Sequence, residues 1–111
     1  MSKAAFWQKG ESLDYRNSTN AKIEANTIVA YGDRIGVIGC DILPGELGSL
    51  FVGGAVFEMP KADTAAIAGG AELYWDGSGI TAASGSGTVR AGYAAQPADA
   101  AAETVLVRLD G

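Results

Sequence analysis

The chain has 111 residues, with 13 acidic and 8 basic side chains, no histidine and a single cysteine, Cys40. This length suits one domain, and a net charge of −5 with dispersed basic residues argues against direct binding to DNA or RNA. The lack of histidine excludes a histidine-based catalytic triad and nearly excludes a zinc site, and one cysteine excludes an intrachain disulfide framework. We expect no membrane span and no signal peptide, because no apolar run is long enough and the amino terminus lacks a cleavage pattern.

The chain begins with a short arm, residues 1–9, whose bulky side chains are Phe6 and Trp7. Terminal segments are commonly mobile until they dock. In one interpretation, Phe6 and Trp7 pack onto the chain's own core. In the other, the arm becomes ordered when it binds a partner, with Phe6, Trp7 and Lys9 as the contact residues. Residues 10–111 are expected to form a single β-rich domain.

Apolar runs rich in β-branched and aromatic residues alternate with turn-forming residues along most of the chain. This pattern is typical of short strands joined by turns and loops. Gly36 and Gly39 lie inside one run and indicate a bulge or a close approach of two backbones. Cys40 ends that run, and in an apolar strand a structural cysteine is the usual case. The predicted strands are residues 13–15, 27–31, 34–40, 49–57, 72–75, 80–82, 88–95 and 103–109.

One short helix is expected, over residues 61–68. Pro60 ends the preceding strand, because proline lacks a backbone donor for the ladder. Three alanines and Ile67 then have an apolar spacing that suits a helix. Gly69 and Gly70 end it, as glycines often do just beyond a helix.

The sequence contains an internal repeat. Residues 34–36 (RIG) are matched by residues 90–92 (RAG), and each is followed by a loop that contains proline. Residues 49–52 are then matched by residues 104–107. This repeat predicts two similar β-β-loop-β halves joined by the short helix. Because closure removes exposed strand edges, we expect a small β-barrel or a sandwich.

No pattern in the chain indicates catalysis. There is no phosphate-binding loop, and the glycine-rich segments separate strands instead of opening a helix. Asp76 and Ser78 resemble part of a calcium loop but offer too few oxygen ligands, so a turn is the better interpretation. Two carboxylates could act as a glycosidase pair, but so short a chain has little room for a sugar cleft. We therefore predict no enzymatic activity, no cofactor and no metal.

Several local patterns, taken together over nearly the whole chain, resemble those of one family. The chain is similar to the small tailed-phage and prophage proteins regarded as capsid cement or decoration proteins. This family is often labelled a RecA/RadA-type recombinase, an activity that needs an ATP site the chain lacks. The matching patterns are residues 6–15, 32–37, 44–48, 54–61, 70–76 and 105–109, of which residues 54–61 (GAVFEMPK) are the most specific.

The resemblance implies a non-enzymatic β-rich domain that binds the outside of the expanded head and stabilises the capsid lattice. It implies the major capsid protein and further copies of the chain, as a trimer, as partners. It places the protein on the virion exterior, and in the host cytoplasm before assembly. The arm is expected to dock on the coat protein, with Phe6 and Trp7 as the anchor. Arg90 departs from the apolar residue expected at that place.

Two other functions remain as alternatives. A carbohydrate- or ligand-binding β module would use exposed aromatic residues, and the candidates are Tyr74, Trp75 and Tyr93. Because neighbouring strand residues point to opposite faces, at most one of Tyr74 and Trp75 is expected to be exposed. A DNA-processing protein would bind DNA in a salt-dependent way.

Overall fold

The computed structural model describes residues 2–6 and 10–110. Within these ranges the chain is mainly β and contains no helix, so the expected β class is confirmed and the helix over residues 61–68 is wrong. It follows that no described helix is long and apolar enough to cross a membrane. The strands are β1 (Ser12–Arg16), β2 (Ile28–Tyr31), β3 (Arg34–Ile38), β4 (Leu47–Phe51), β5 (Gly53–Pro60), β6 (Glu72–Trp75), β7 (Ile80–Thr81), β8 (Val89–Ala94) and β9 (Thr104–Asp110).

Residues 61–68 follow an extended path because their backbone groups bond to distant parts of the chain. The Lys61 N–H donates to the Glu103 carbonyl at 2.9 Å, and the Ala62 N–H donates to the Ile80 carbonyl at 2.7 Å. Further along, Ile67 exchanges two hydrogen bonds of 2.8 Å with a residue in the loop between β8 and β9. A helix of about two turns is marginal in water. These tertiary partners therefore override the helical spacing of the alanines.

All nine strands belong to one open, branched sheet. Its longest path is β1-β4-β3-β8-β6-β7, with β2 paired to β3 and β5 joined to β8 through β9. Each of β1, β2, β5 and β7 pairs with only one of the described strands, which leaves open edges. The expectation of a closed barrel is therefore wrong, and so is a sandwich of two separate sheets, because β3 and β8 join the halves in parallel at Arg34 and Arg90.

The sheet contains two similar units, in agreement with the internal repeat. We call β1–β4 the first unit and β5–β9 the second unit. In the first unit Ile23 and Ile42 exchange hydrogen bonds of 2.9 and 2.8 Å, and in the second unit Ile67 and Ala98 exchange two of 2.8 Å. The pairs β1·β4 and β2·β3 correspond to β5·β9 and β6·β8. The second unit has one additional strand, β7, which follows β6 in the chain and pairs with it at the edge of the sheet.

The structural match between β4 and β9 differs by two residues from the sequence match. The sequence repeat matches Ser49 with Thr104. In the structure Ser49 is instead equivalent to Leu106: the Ser49 carbonyl accepts a hydrogen bond of 2.9 Å from the residue after β3, and the Leu106 carbonyl accepts one of 2.9 Å from the residue after β8. In this register Leu50 corresponds to Val107, and both are fully buried. A shift by two residues leaves the same strand face inward. The apolar pattern alone therefore could not reveal it.

The core lies mainly between the two units. Its larger cluster combines buried side chains of the second unit with Ile35 and Val37 of β3. A smaller cluster, consisting of Ile38, Ile42 and Leu50, belongs to the first unit alone. Successive residues of β3 thus serve different clusters, as the alternation of a strand requires.

Two glycines allow strands to approach closely. A Cβ atom on Gly36 would lie 2.6 Å from the Leu50 Cγ, so this glycine makes room for a side chain and not for the expected second backbone. Register shifts lie instead in β8, between Arg90 and Gly92 against β6, and in β5, between Gly53 and Val56 against β9. These contacts fix how each unit packs around its central strand.

Candidate functional site

The ionisable side chains are spread over the surface. Residues 2–6 and 10–110 include no group of three or more His, Cys, Asp or Glu that could hold a metal ion. Cys40 lies beyond the end of β3 and is exposed, and so it is not part of the apolar strand predicted from the sequence.

The Asp76 carboxylate closes a turn, as predicted. It accepts hydrogen bonds from the backbone N–H groups of Ser78, at 2.9 Å, and Gly79, at 2.8 Å. These two bonds, together with one from the Ser78 hydroxyl, lower the pKa of Asp76 below its usual range. The carboxylate thus stabilises the turn by binding the chain's own donors.

Residues 2–6, the described part of the N-terminal arm, stand away from the core. Residues 2–6 have no regular structure and are exposed, and Phe6 is 87% exposed. Trp7 and Lys9, the other two predicted contact residues, lie outside the described residues. The structure therefore does not pack Phe6 onto its own core, and the ring is accessible to a partner.

The three aromatic residues proposed for carbohydrate binding are all half-buried. The Tyr74 hydroxyl donates to the Glu72 carboxylate at 3.2 Å, and Trp75 packs against the larger core cluster. The Arg108 guanidinium lies 5.8 Å from the centre of the Tyr93 ring. None of the three offers the exposed aromatic platform that a carbohydrate-binding module needs.

Arg90, the departure from the expected pattern, lies at the surface of the second unit. Its guanidinium forms an ion pair with Glu72 at 3.4 Å, and its side chain is 37% exposed. The bulge in β8 places it opposite Tyr74 of β6. An arginine is therefore tolerated here because its charged end reaches both solvent and a carboxylate.

One face of the sheet is covered in the second unit and open in the first. In the second unit four apolar residues of this face are at most 3% exposed: Met59, Ile67, Leu73 and Leu109. When the two units are matched by strand register, the corresponding residues of the first unit are, in the same order, Tyr15, Ile23, Val29 and Val52. All four are only half-buried. The first unit therefore presents apolar side chains that its own fold leaves uncovered.

The difference arises from what lies over each unit. Ile35 and Val37 of the first unit, together with Ile80 of β7, pack against the second unit. The first unit has no counterpart of β7, because only the turn at Gly32 and Asp33 connects β2 to β3. We call the uncovered surface of the first unit the open face, which consists of Leu13, Tyr15, Val29, Tyr31 and Val52.

A cleft of about 240 Å³ lies at one end of the open face. Arg34 lines the cleft, and its side chain forms no ion pair with an acidic side chain among the described residues. The Tyr31 ring meets Tyr15 edge-on, with 6.5 Å between the ring centres. The cleft is mostly apolar, and Gly10, where the arm joins the domain, also lines it. Among residues 2–6 and 10–110, the lining consists of Gly10, Leu13, Tyr31, Arg34, Ile35 and Val52.

Comparison with known proteins identifies the family. The chain matches the phage cement protein family over residues 7–109, which is nearly its whole length. It belongs to this family. No curated protein and no solved structure matched the chain. Membership of the phage cement family confirms the resemblance seen in the sequence and indicates a structural role on a phage capsid, a role that is not normally enzymatic.

The open face of this cement protein is the feature that sequence reasoning missed. Its signal is present in the repeat: when the two units are matched by strand register, Tyr15 is equivalent to Met59 and Val29 is equivalent to Leu73. A tyrosine in place of a buried methionine indicates a surface with access to water, because the hydroxyl needs a partner. The sequence match covered only parts of β3, β4, β8 and β9, and so these pairs were not compared.

Proposed function

We propose that this cement protein is a non-enzymatic virion protein that binds the outer surface of the expanded phage head and stabilises the capsid lattice. The observation that supports the proposal is the family match over residues 7–109. In this role the major capsid protein is the direct partner. Each copy contacts several coat subunits that are already fixed in place, so that modest individual contacts act together.

The arm is the proposed partner-binding segment, with Phe6, Trp7 and Lys9 as its contact residues. The exposure of Phe6 supports this assignment, since a large aromatic side chain left in water gains most by binding an apolar site. Lys9 adds a positive charge to an arm that already carries Lys3. Such a segment suits an apolar contact with an acidic rim.

Copies of the protein are proposed to form trimers on the capsid and to remain in the host cytoplasm before assembly. A net charge of −5 keeps free copies apart, because like-charged molecules repel each other at low ionic strength. On a lattice the copies are held close together, and contacts too weak to matter in dilute solution then become occupied.

The test is cosedimentation of the purified protein with expanded empty heads that lack it, with unexpanded proheads alongside. We expect saturable binding to expanded heads only, together with a raised melting temperature of the shell. A correctly folded protein that fails to bind expanded heads would refute the proposal. Equal binding to proheads would refute the requirement for expansion.

A chain that lacks residues 2–9 tests the arm in the same experiment. We expect it to lose head binding while its melting temperature stays close to that of the wild type, because the described part of the arm makes no core contact. The matched control is Val56→Ala, which shortens an apolar side chain that is 50% exposed on β5. This control should bind heads as the wild type does.

A further inference from the structure

The residues that cover the second unit indicate which kind of surface could cover the open face of the first unit. Ile28, Ile35 and Val37 of the first unit pack against the second unit's core, which includes Leu73 and Leu109. The cover is thus a set of apolar side chains with no charged group among them. The open face has the same strand order and a similar apolar surface, and so it suits the same kind of cover.

A second copy cannot supply this cover by stacking its second unit in the same way. Strand register makes Glu72 and Tyr93 the counterparts of Ile28 and Val37. Glu72 forms an ion pair with Arg90, and Arg108 lies over the Tyr93 ring. Burying these charges under an apolar face would cost more than the contact returns. The stacking of units therefore ends within one chain.

The arm has the properties that the open face requires. Phe6 is the most exposed large hydrophobic residue among those described, at 87%, whereas the next, Leu47, is 54% exposed. The cleft at the end of the open face, of about 240 Å³, has apolar walls and is large enough for a phenyl ring. Arg34 at its wall suits an aromatic ring, because a guanidinium stacks well on one.

The charges of the arm and the domain are complementary. Two of the eight basic residues, Lys3 and Lys9, lie in the arm, and all 13 acidic residues lie beyond residue 9. The arm therefore carries a charge of about +2 and the rest of the chain about −7. Glu11 and Asp33, which adjoin lining residues of the cleft in the sequence, are both exposed. An approaching arm is attracted to this region before contact is made.

The arm of a second copy fits better than the chain's own arm. Phe6 lies four positions before Gly10, which lines the cleft, and these four steps along the chain span at most about 14 Å when extended. The structure leaves Phe6 of the chain's own arm in solvent and not in the cleft. The Phe6 side chain of a neighbouring copy is equally exposed and so is available to bind there.

We propose that the arm of one copy binds the open face of a second copy, with Phe6 seated in the cleft beside Arg34. This inference rests on the proposed role of the arm as the partner-binding segment, and it names a neighbouring copy as the partner in place of the coat protein. The contact joins different surfaces of the two copies, so it is head-to-tail, and three such contacts can close a ring. Arms exchanged in this way link neighbouring copies on a shell.

The test uses full-length chains in the absence of heads, so that it does not depend on capsid binding. An isotope-labelled Phe6→Ala chain is titrated with unlabelled wild-type chain, and the amide signals of the labelled chain are followed by NMR. We expect saturable shifts at Leu13, Tyr31 and Val52. Unlabelled Phe6→Ala chain should bind at least about tenfold more weakly, as expected when an anchor side chain is removed.

Two further variants show where the contact lies. Adding Tyr31→Ala to the labelled chain should weaken the binding of wild-type chain at least about fivefold, because Tyr31 lines the cleft. Unlabelled Val56→Ala chain should act as the wild type does, because Val56 lies on β5 of the second unit. Binding of the wild-type chain to heads is measured separately. If the wild type does not bind heads, the proposed function is refuted, but the result on binding between copies still stands.

Three outcomes would overturn the inference. The first is the absence of shifts up to about 1 mM of added chain, which would mean that copies do not bind each other usefully. The second is a set of shifts on another surface. The third is a difference between wild type and Phe6→Ala at the open face that is independent of concentration, which would assign the cleft to the chain's own arm. If heads are bound while copies show no contact, the coat protein is the arm's partner.

Discussion

Gly92 of β8 faces the carbonyl oxygen of Arg108 in β9 so closely that no Cβ atom fits between them. Its φ angle of 154° is also one that residues with a side chain rarely adopt. Both features belong to the bulge by which β8 shifts its register against β6. β8 pairs with β3, β6 and β9. Gly92 therefore lies in the strand that joins the two units of the sheet.

Replacement of Gly92 by alanine should therefore destabilise the fold. We expect Gly92→Ala to lower the free energy of unfolding by about 3 kcal/mol, from backbone strain and the displaced carbonyl. Gly85→Ala is the matched control, because nothing lies within 4 Å of a Cβ at that position. It should change stability by less than about 0.5 kcal/mol in urea denaturation. Equal losses for the two variants would contradict the close approach.

The contact between Gly36 and Leu50 predicts a coupling between two substitutions. Leu50→Ala should cost about 3 kcal/mol by leaving a cavity, and Gly36→Ala about 2 kcal/mol by overpacking against the Leu50 side chain. In the double variant the added methyl group enters the space that Leu50 vacates. The combined loss in free energy of unfolding should then be at least about 1 kcal/mol smaller than the sum. Strictly additive losses would show that the two positions do not share this space.

Asn17 is a buried polar residue that organises the loop after β1. Its side-chain amide donates to the carbonyls of Ala21 and Ile42, both at 2.8 Å, and its oxygen accepts from the Thr19 N–H at 2.9 Å. Asn17→Ala removes all three of these hydrogen bonds and should cost about 2 kcal/mol in unfolding free energy. Asn20→Ala, on an exposed neighbour, is the control and should cost little. A small loss for Asn17→Ala would mean that water replaces the amide.

The turn at Asp76 predicts a dependence of stability on pH. Its pKa is lowered from 3.8 by backbone N–H donors, first that of Ser78 and then that of Gly79, so the ionised form is favoured in the folded state. This stabilisation is present above 3.8 and is lost as the pH falls through the folded-state pKa. Asp76→Asn should therefore melt below the wild type at neutral pH.

The difference in melting temperature between Asp76→Asn and wild type should narrow as the pH approaches about 2. Ser78→Ala provides a comparison, because it removes the hydroxyl donor and keeps both backbone donors. It should retain most of the wild-type pH dependence. A difference between Asp76→Asn and wild type that stays constant with pH would contradict a charge effect.

Features that depend on neighbouring residues could be read from the chain. The β-rich class follows from runs of β-branched and aromatic residues, and the turn at Asp76 follows from the short reach between its carboxylate and the next backbone donors. The repeat and the family patterns are likewise properties of residue order. The class and the turn involve interactions within a few positions, and the repeat and the family patterns need only a comparison of residue types, so no tertiary contact is required for any of them.

Features that depend on distant partners could not be read in this way. The segment at residues 61–68 has helical spacing, yet Lys61 and Ala62 donate to carbonyls of Glu103 and Ile80, far along the chain. The packing of the two units determines whether the sheet closes. It also determines that Tyr15 is only half-buried although its equivalent in the second unit, Met59, is buried. A strand pattern specifies which residues share a face, but only the packing of one unit on the other determines which face is left for a partner.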